Sequence, residues 1–401
     1  RASQRLRRAS PEGGKRIEPA SSKPSRVPLA NTITNVIDRL LAQALPVLRT
    51  NAVLPRLFTK DYQGMAAQQG DVVNVPLPPT IATNAVTPAI TPPANVDTIE
   101  TTTPINLSFW REAVFYMTDK EQAEVMAGSI PKKAAAAIAA LADYVDSQLF
   151  TQISIGAGIA HGTAGTAPFA TLALAQFSNT EMNTRGAMKG DRHVVFNAAA
   201  EANLIALDTF SNSDFVGDKA AIMEGEFNEK GRRLGANWWQ DENTPSHTIG
   251  TASGKLVNNS GPYAIGTTSI ELDGGSGAIL AGDVVTFAGD TNKYVVKTAL
   301  TGTTVVIAGV GLRATLADNV ALTVVATHTV NAAFHSSGVA LVSRVLQSSA
   351  ASSTMQSVTD PVTGLSLRLE VSRQHKQDKW SFDVLFGADV IRPETTIKIL
   401  G

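Results

Sequence analysis

The residues able to do chemistry are few and scattered. Six histidines (His161, His193, His247, His328, His335 and His375) include no pair three or four positions apart and no HExxH, so a zinc site on one helix is unsupported, although any of them could meet in space. Cysteine is absent, which removes disulfides and thiolate ligands and agrees with a reducing compartment. Gly156-Ala157-Gly158 with Gly162 has the wrong spacing for a dinucleotide loop and follows a helix-like stretch instead of joining a strand to one. Gly250 to Lys255 (GTASGK) is one residue short of a phosphate loop and lacks the hydroxyl after Lys255, so a β-turn explains it better. Serine is common without a GxSxG elbow. Asp241 and Glu242 read as a solvated face, and Trp238-Trp239 as a half-buried strand edge before a ligand-stacking pair. The expectation is a chain that is not an enzyme, with no catalytic residues, no metal and no cofactor.

The elements that would have to position a site tell more. The chain has 401 residues, 43% apolar and only 17% charged, against about a quarter charged in ordinary soluble chains. That length allows two or three compact units, and the low charge implies a surface largely covered by something else. No run of eighteen apolar residues appears, and the start lacks a signal peptide's apolar stretch and cleavage site, which predicts a soluble protein made in a cytoplasm, with no membrane partner. The net charge of −1 hides a tail of +6 over residues 1–28 against −7 for the rest. Arg5, Arg7, Arg8, Lys15 and Arg16 of that tail are candidates for contact with nucleic acid. A disordered arm, or a stretch outside the native coding sequence, remain alternatives, because Leu29-Ala30-Asn31 looks like a start with an alternative initiator.

The spacing predicts a short helix over 34–45, interrupted by Pro46, then a strand at Val72, Val73 and Val75. Residues 76–105 hold seven of the nineteen prolines, with only Asp97 and Glu100 charged. Proline fixes φ and removes a donor, so this stretch is no helix; it reads as two extended arms joined near Asn84 to Ile90. A disordered linker and a projection laid over a neighbouring molecule both fit, and the low charge favours the projection. After a strand-like Ile105 to Tyr116, Thr118 and Glu121 at capping-box spacing open a helix, broken and restarted at Ser129-Ile130-Pro131. From Pro131 to Ile153 the apolar positions Ala134, Ile138, Leu141, Val145, Leu149 and Ile153 repeat at three and four, a rod of about 35 Å.

Helices near 171–187, 198–207 and 218–224 and a strand from His193 to Phe196 follow. Between 246 and 330 only nine of 85 residues are charged. Short Val/Thr/Ile runs there (Ser269 to Leu272, Val284 to Phe287, Lys293 to Thr298, Thr303 to Val310, Ala321 to Thr327) alternate with glycine turns, which predicts an inserted β-barrel or sandwich. Val339 to Leu346 reads as a helix, and Ser366 to Ser372 with Trp380 to Leu385 as paired strands about a charged turn.

Several stretches, in this order, resemble the tailed-phage major capsid (coat) protein family, and most closely its short-tailed Salmonella-phage branch. They are Val53 to Val75 (VLPRLFTKDYQGMAAQQGDVVNV), Gly282-Asp283 through Phe287-Ala288-Gly289, Phe334-His335 before the expected helix, Gly364 to Ser372 (GLSLRLEVS), and Phe386-Gly387 leading to Arg392-Pro393-Glu394. The resemblance covers roughly residues 30–401 and implies an α+β, Hong Kong 97-type capsid fold. It places an N-terminal arm at 30–75 after a 1–29 extension, and an extended loop at 76–105. A peripheral domain with the spine helix (Thr118 to Ile153) spans 106–190, and axial-domain parts span 191–245 and 331–364. The inserted β-domain is at 246–330, peripheral strands at 365–386 and a last axial segment at 387–401.

The resemblance further implies self-assembly into hexamers and pentamers of an icosahedral shell around double-stranded DNA, with a scaffolding protein and portal during assembly and a possible decoration protein. The shell would form in the bacterial cytoplasm and persist as the virion capsid. Pro78, Pro79, Asn84, Val86, Pro88, Ile90, Pro92 and Pro93 would be the loop residues that reach the next subunit. The nearest alternative is an encapsulin-like compartment, which shares the shell fold but encloses protein. N-terminal mass spectrometry of natural particles tests the origin of the basic tail: peptides from residues 1–28 would show that it is native.

Overall fold

The computed structural model describes residues 33–62, 64, 72–77, 81, 88, 100–119, 132–211, 233–346 and 354–401. The first helix, α1 (Ile33–Asn51), is longer than the predicted 34–45 and contains Pro46. Proline removes one helical hydrogen bond, but Pro46 lies on the exposed side, where water can satisfy the freed carbonyl. Leu40, Leu41, Ala44 and Leu48 are buried on the other side and carry the helix past it. A single turn, α2 (Leu54–Leu57), holds Pro55 as its second residue, in the first turn, where a missing N–H costs no helical hydrogen bond.

β1 (Val72–Leu77) and β2 (Thr101–Asn106) form an antiparallel ladder from Val72↔Asn106 to Leu77↔Thr101. The predicted strand Ile105 to Tyr116 is thus divided, at Leu107-Ser108, from β3 (Phe109–Thr118). Thr118 ends that strand and opens no described helix; Glu121 and Ser129-Ile130-Pro131 lie outside the described residues, as does the helix expected at 218–224. α3 (Lys132–Gly156) buries the predicted stripe Ala134, Ile138, Leu141, Val145, Leu149 and Ile153 over about 37 Å.

Next come β4 (Ile159–Gly162), α4 (Leu172–Thr184), β5 (Arg192–Phe196), α5 (Ala198–Ile205), α6 (Asp208–Ser211) and β6 (Asn237–Gln240). Thr171 and Asn197 cap α4 and α5 with side-chain oxygens, which sets the two helix starts. Then follow β7 (Ser246–His247), β8 (Leu256–Val257), β9 (Ser269–Asp273), β10 (Val284–Phe287), β11 (Tyr294–Thr301), β12 (Thr304–Ile307), β13 (Leu322–Val324) and β14 (His328–His335). The chain ends with β15 (Val339–Ser343), β16 (Thr354–Thr359), β17 (Ser366–Gln374), β18 (Gln377–Val390) and β19 (Thr396–Leu400).

Val339 to Leu346 is therefore not the expected helix. Val339 and Leu341 join one core while Ala340 and Val342 join another, so β15 is buried on both faces. A continuous apolar run of that kind carries no period to separate strand from helix.

The result is a mixed α+β fold on three main sheets. β15, β18, β17 and β16 form one, with β3 along the rest of β18. Its inner face packs on α3 and α1 around Trp380, Phe382, Leu149 and Phe150. Strands β4, β19, β14, β5 and β6 form a second, covered by α4 and α5, with the only parallel pairs among the described strands (β4/β19 and β5/β6). Trp238 is buried and Trp239 half-buried in β6, at the sheet's edge as predicted.

The third sheet, in the order β13, β10, β11, β12, β9, β8, closes on itself. Val257 N donates to Val320 O and Leu322 N to Lys255 O, joining its two ends into a barrel around Ile270, Phe287, Val296 and Val305. The chain enters through β7 and leaves through β14, which pair at His247↔His328. Among the described residues no helix is long and apolar enough to cross a membrane. The helix–sheet seam should dominate stability: Leu149→Ala, fully buried in α3, should lower unfolding free energy by about 2–5 kcal/mol in urea titrations.

Candidate assembly surface

The antiparallel pair β1–β2 is anchored at its base. Val73, Val75 and Ile105 are buried against Leu107, Ala340, Val342, Leu385 and Ile391, on the sheet face opposite α3. The base sits close because residue 387 is glycine: a Cβ there would lie 2.3 Å from Asn106 O. Pro76 and Pro104 stand in the ladder opposite Thr102 and Asn74, tolerable in a two-stranded ribbon where each strand is an edge. Beyond the base, Ile81 is 72% exposed and Pro88 is exposed. Pro78, Pro79, Asn84, Val86, Ile90, Pro92 and Pro93 lie outside the described residues, as do Arg5, Arg7, Arg8, Lys15 and Arg16.

Two buried carboxylates tie the N-terminal segment to the body. Asp146, in α3, accepts from Val53 N at 2.9 Å and Leu54 N at 3.2 Å, so it caps α2 from a distant helix. Burial pushes its carboxyl well above the usual range, Asp241 adds to the rise, and the two N–H donors oppose it. Asp360 binds Arg49 at 2.6 Å and takes hydrogen bonds from Val362 N, Thr363 N and Thr363 Oγ1. Burial opposes its ionisation, but these donors hold it below the usual carboxylate range.

Asp241 corrects the expectation of a solvated Asp241-Glu242 face. It is buried, its carboxyl raised to about 6 chiefly by burial, because the chain turns inward after β6 and its N–H bonds Phe196 O.

A third polar knot joins the barrel to the body. Lys398, fully buried in β19, donates to Ser154 Oγ of α3 and to Gly282 O of the barrel, both at 2.7 Å. The neighbouring Asp283 accepts from Gly250 N and Leu280 N and contacts His247 Nε2 at 2.9 Å. Three separate parts of the chain thus meet at one amine. Burial lowers Lys398 from 10.5 to about 7, with Asp283 pulling the other way.

The histidines serve packing. His161 stacks on Phe177 at 3.5 Å, and His193 Nδ1 accepts from Trp239 Nε1 at 3.1 Å; burial brings both to about 4, so they are neutral at pH 7. His328, also about 4, lies 5.5 Å ring to ring from His247, while His335 bonds Ser337 Oγ and His375 is exposed at the β17–β18 turn. Among the described residues no group of three or more His, Asp or Glu could hold a metal ion. Gly158 is explained by close approach: a Cβ would lie 2.5 Å from Pro393 O. A cleft of about 300 Å³ beside His161, Phe169, Leu174 and Lys293 has mainly apolar walls. Sequence reasoning missed Asp146, Asp360 and Lys398. The available signal was a lone charge inside an apolar stripe for Asp146 and Lys398, and none for Asp360.

No protein-family model and no curated protein matches the chain. Among solved structures, it is similar to one from Mycobacterium phage Che8, at 17% identity over 87% of this chain and 90% of that one, with a TM-score of 0.48. It is also similar to the capsid of cyanophage P-SCSP1u, at 15% identity over 87% and 88%, TM-score 0.48. A virus-like particle from Pyrococcus furiosus aligns at 10% identity over 90% and 98%, TM-score 0.42.

The Lys398 knot has a pH signature. The unfolded chain binds that proton more tightly than the folded one, so stability rises with pH between about 7 and 10.5, by up to about 1.4 kcal/mol per unit, and is insensitive to this group below that window. Lys398→Met should remove the rise: unfolding free energies at about pH 7 and pH 9 should differ by about 1–3 kcal/mol less in the variant than in the parent chain.

Proposed function

We propose that this chain is the major capsid protein of a tailed double-stranded DNA bacteriophage, a subunit that self-assembles into an icosahedral shell. The observation that carries the reading is the β1–β2 hairpin. Its base is locked to the body, while the 23 residues between Leu77 and Thr101 hold five prolines and two charges. Such a segment has little core of its own to bury and suits a low-charge contact with another molecule. Rings of subunits joined head to tail would supply it, each projection lying across the next copy in hexamers and pentamers.

In this reading 30–75 is the arm, 76–105 the extended loop, 106–190 with 365–386 the peripheral domain, and 191–245, 331–364 and 387–401 the axial domain. The barrel at 246–330 is the insertion of the short-tailed Salmonella-phage branch. A scaffolding protein, a portal, packaged DNA and a decoration protein are the partners that follow. Assembly takes place in the bacterial cytoplasm.

Replacing Asn84 to Pro93 by a short Gly/Ser turn should leave a folded subunit with an unchanged melting temperature that builds no closed shells by negative-stain electron microscopy. Normal shells from that chain would refute the reading. Particles from the parent chain, expressed with its neighbouring genes, should contain DNA; protein cargo without nucleic acid would favour a compartment instead.

A further inference from the structure

The barrel joins the body through a neck of two strands, β7 and β14, paired at His247↔His328. Around that pair the neck, the barrel and the body meet. Gly282 and Asp283, in the turn that leads into β10, come from the barrel, while Ser154 of α3 and Lys398 of β19 come from the body. His247 Nε2 lies 2.9 Å from Asp283 Oδ1, and its ring 5.5 Å from that of His328. The fit is close: Gly282 has a φ of +89°, and a Cβ there would lie 2.9 Å from His247 Cε1 and 3.4 Å from Ser154 Oγ.

His328 is badly placed to take up a charge. It is 2% exposed, and its Nδ1 lies 2.8 Å from Ala326 O. A carbonyl oxygen only accepts, so Nδ1 carries the proton of the neutral ring and a second proton would go to Nε2. That Nε2 is buried and has no hydrogen-bond partner among the described residues. Protonation there creates a buried N–H without an acceptor, in the field of Lys398 and His247. The carboxylate at hand, Asp283, is already shared among His247, Gly250 N and Leu280 N. The charged and titratable groups around the ring are thus His247 from β7, Asp283 from the barrel and Lys398 from β19, and α3 contributes the Ser154 hydroxyl.

We propose that this cluster is an acid-sensitive latch: protonation of His328 releases the barrel from the body as a folded unit that swings on the β7–β14 neck. The inference does not depend on the shell reading above. Two features make loss of docking, and not loss of the barrel, the outcome. The barrel's own core, built on Ile270, Phe287, Val296 and Val305, contains no member of the cluster. The apolar contact between barrel and body is thin, because Ala157, Ala160 and Ala308 are three of its six buried residues and an alanine buries little apolar area. The polar cluster therefore carries a large share of the docking.

The direction follows from the ring's hold on its proton. Burial, with Lys398 and then His247 adding to it, lowers His328 from 6.5 to about 4, against the pull of Ala326 O and Asp283. In the released form the ring meets water and binds its proton more tightly. Docking is therefore full above about pH 6.5 and weakens as pH falls toward 4, by at most about tenfold per pH unit and about 300-fold in all. Lys398, at about 7 when docked, holds its proton through most of that window in both forms and adds little slope.

The test follows the full chain by hydrogen exchange and mass spectrometry at about pH 7 and pH 4.5, corrected for the intrinsic pH dependence of exchange. Protection of segments 246–250, 280–284 and 326–330 should fall at least about tenfold at the lower pH, while that of the barrel strands Ser269–Asp273 and Thr304–Ile307 holds. Other groups, among them Asp241 and His161, also titrate in this range. His328→Asn isolates the ring, because it keeps a donor for Ala326 O and takes up no proton; its neck should be equally protected at both pH values. A second chain keeps His328, so that the test stands even where the asparagine chain does not fold. Ala160 and Lys293 face each other across an antiparallel bridge between body and barrel, and the chain has no cysteine, so Ala160→Cys with Lys293→Cys gives one disulfide tying the two. Oxidised, that chain should keep its neck protected in acid; reduced, it should lose protection as the parent does. A parent neck equally protected at both pH values would overturn the latch. So would an acid loss that persists in His328→Asn or in the oxidised pair, or barrel strands that lose protection together with the neck.

Discussion

The apolar seam between the helix Lys132–Gly156 and the sheet built on Gln377–Val390 sets where the other parts sit. Leu141, Val145, Leu149 and Ile153 meet Trp380, Phe382 and Phe386 in one continuous core. From that helix two polar side chains reach outward. Asp146 receives the N-terminal segment and Ser154 receives Lys398, and through Lys398 the barrel. A shift of the helix along its axis would break both links at once, so the apolar packing and the buried hydrogen bonds specify the same register.

That arrangement also fixes the β1–β2 ladder. Its base lies on the far side of the same sheet, seated where Gly387 lets the backbone of Asn106 come close. Val73, Val75 and Ile105 anchor its base with no exposed surface, while Ile81 and Pro88 beyond it are exposed. Proline is tolerated within the base, at Pro76 and Pro104, because each strand of the ribbon is an edge.

Much of this was legible from the residues. The three-and-four spacing from Ala134 to Ile153 is a helix stripe, and the Val/Thr runs of the barrel fall on or beside β9 to β13. What was not legible had physical causes. Pro46 says break, but the burial of Leu48 and its neighbours overrides a local preference. Val339 to Ser343 has no period because both faces are covered. Asp241 looks solvated beside Glu242 until the turn that buries it is known, and the partners of Asp146 and Asp360 are backbone N–H groups and distant side chains that no spacing rule reveals.

The pairing of β3 with β18 joins positions very far apart in sequence; Trp110 and Asp383 are separated by 273 residues. The barrel, by contrast, is stitched from hairpins between near neighbours, such as β10 with β11 and β11 with β12. During synthesis the barrel can close as soon as its own strands emerge, whereas β3, with its aromatic residues, has no partner until almost the last strand leaves the ribosome. The order of events is thereby imposed by topology: a locally folded module waits on an unfinished body, and the interval in which that body is vulnerable to aggregation is set by the length of chain still to be translated.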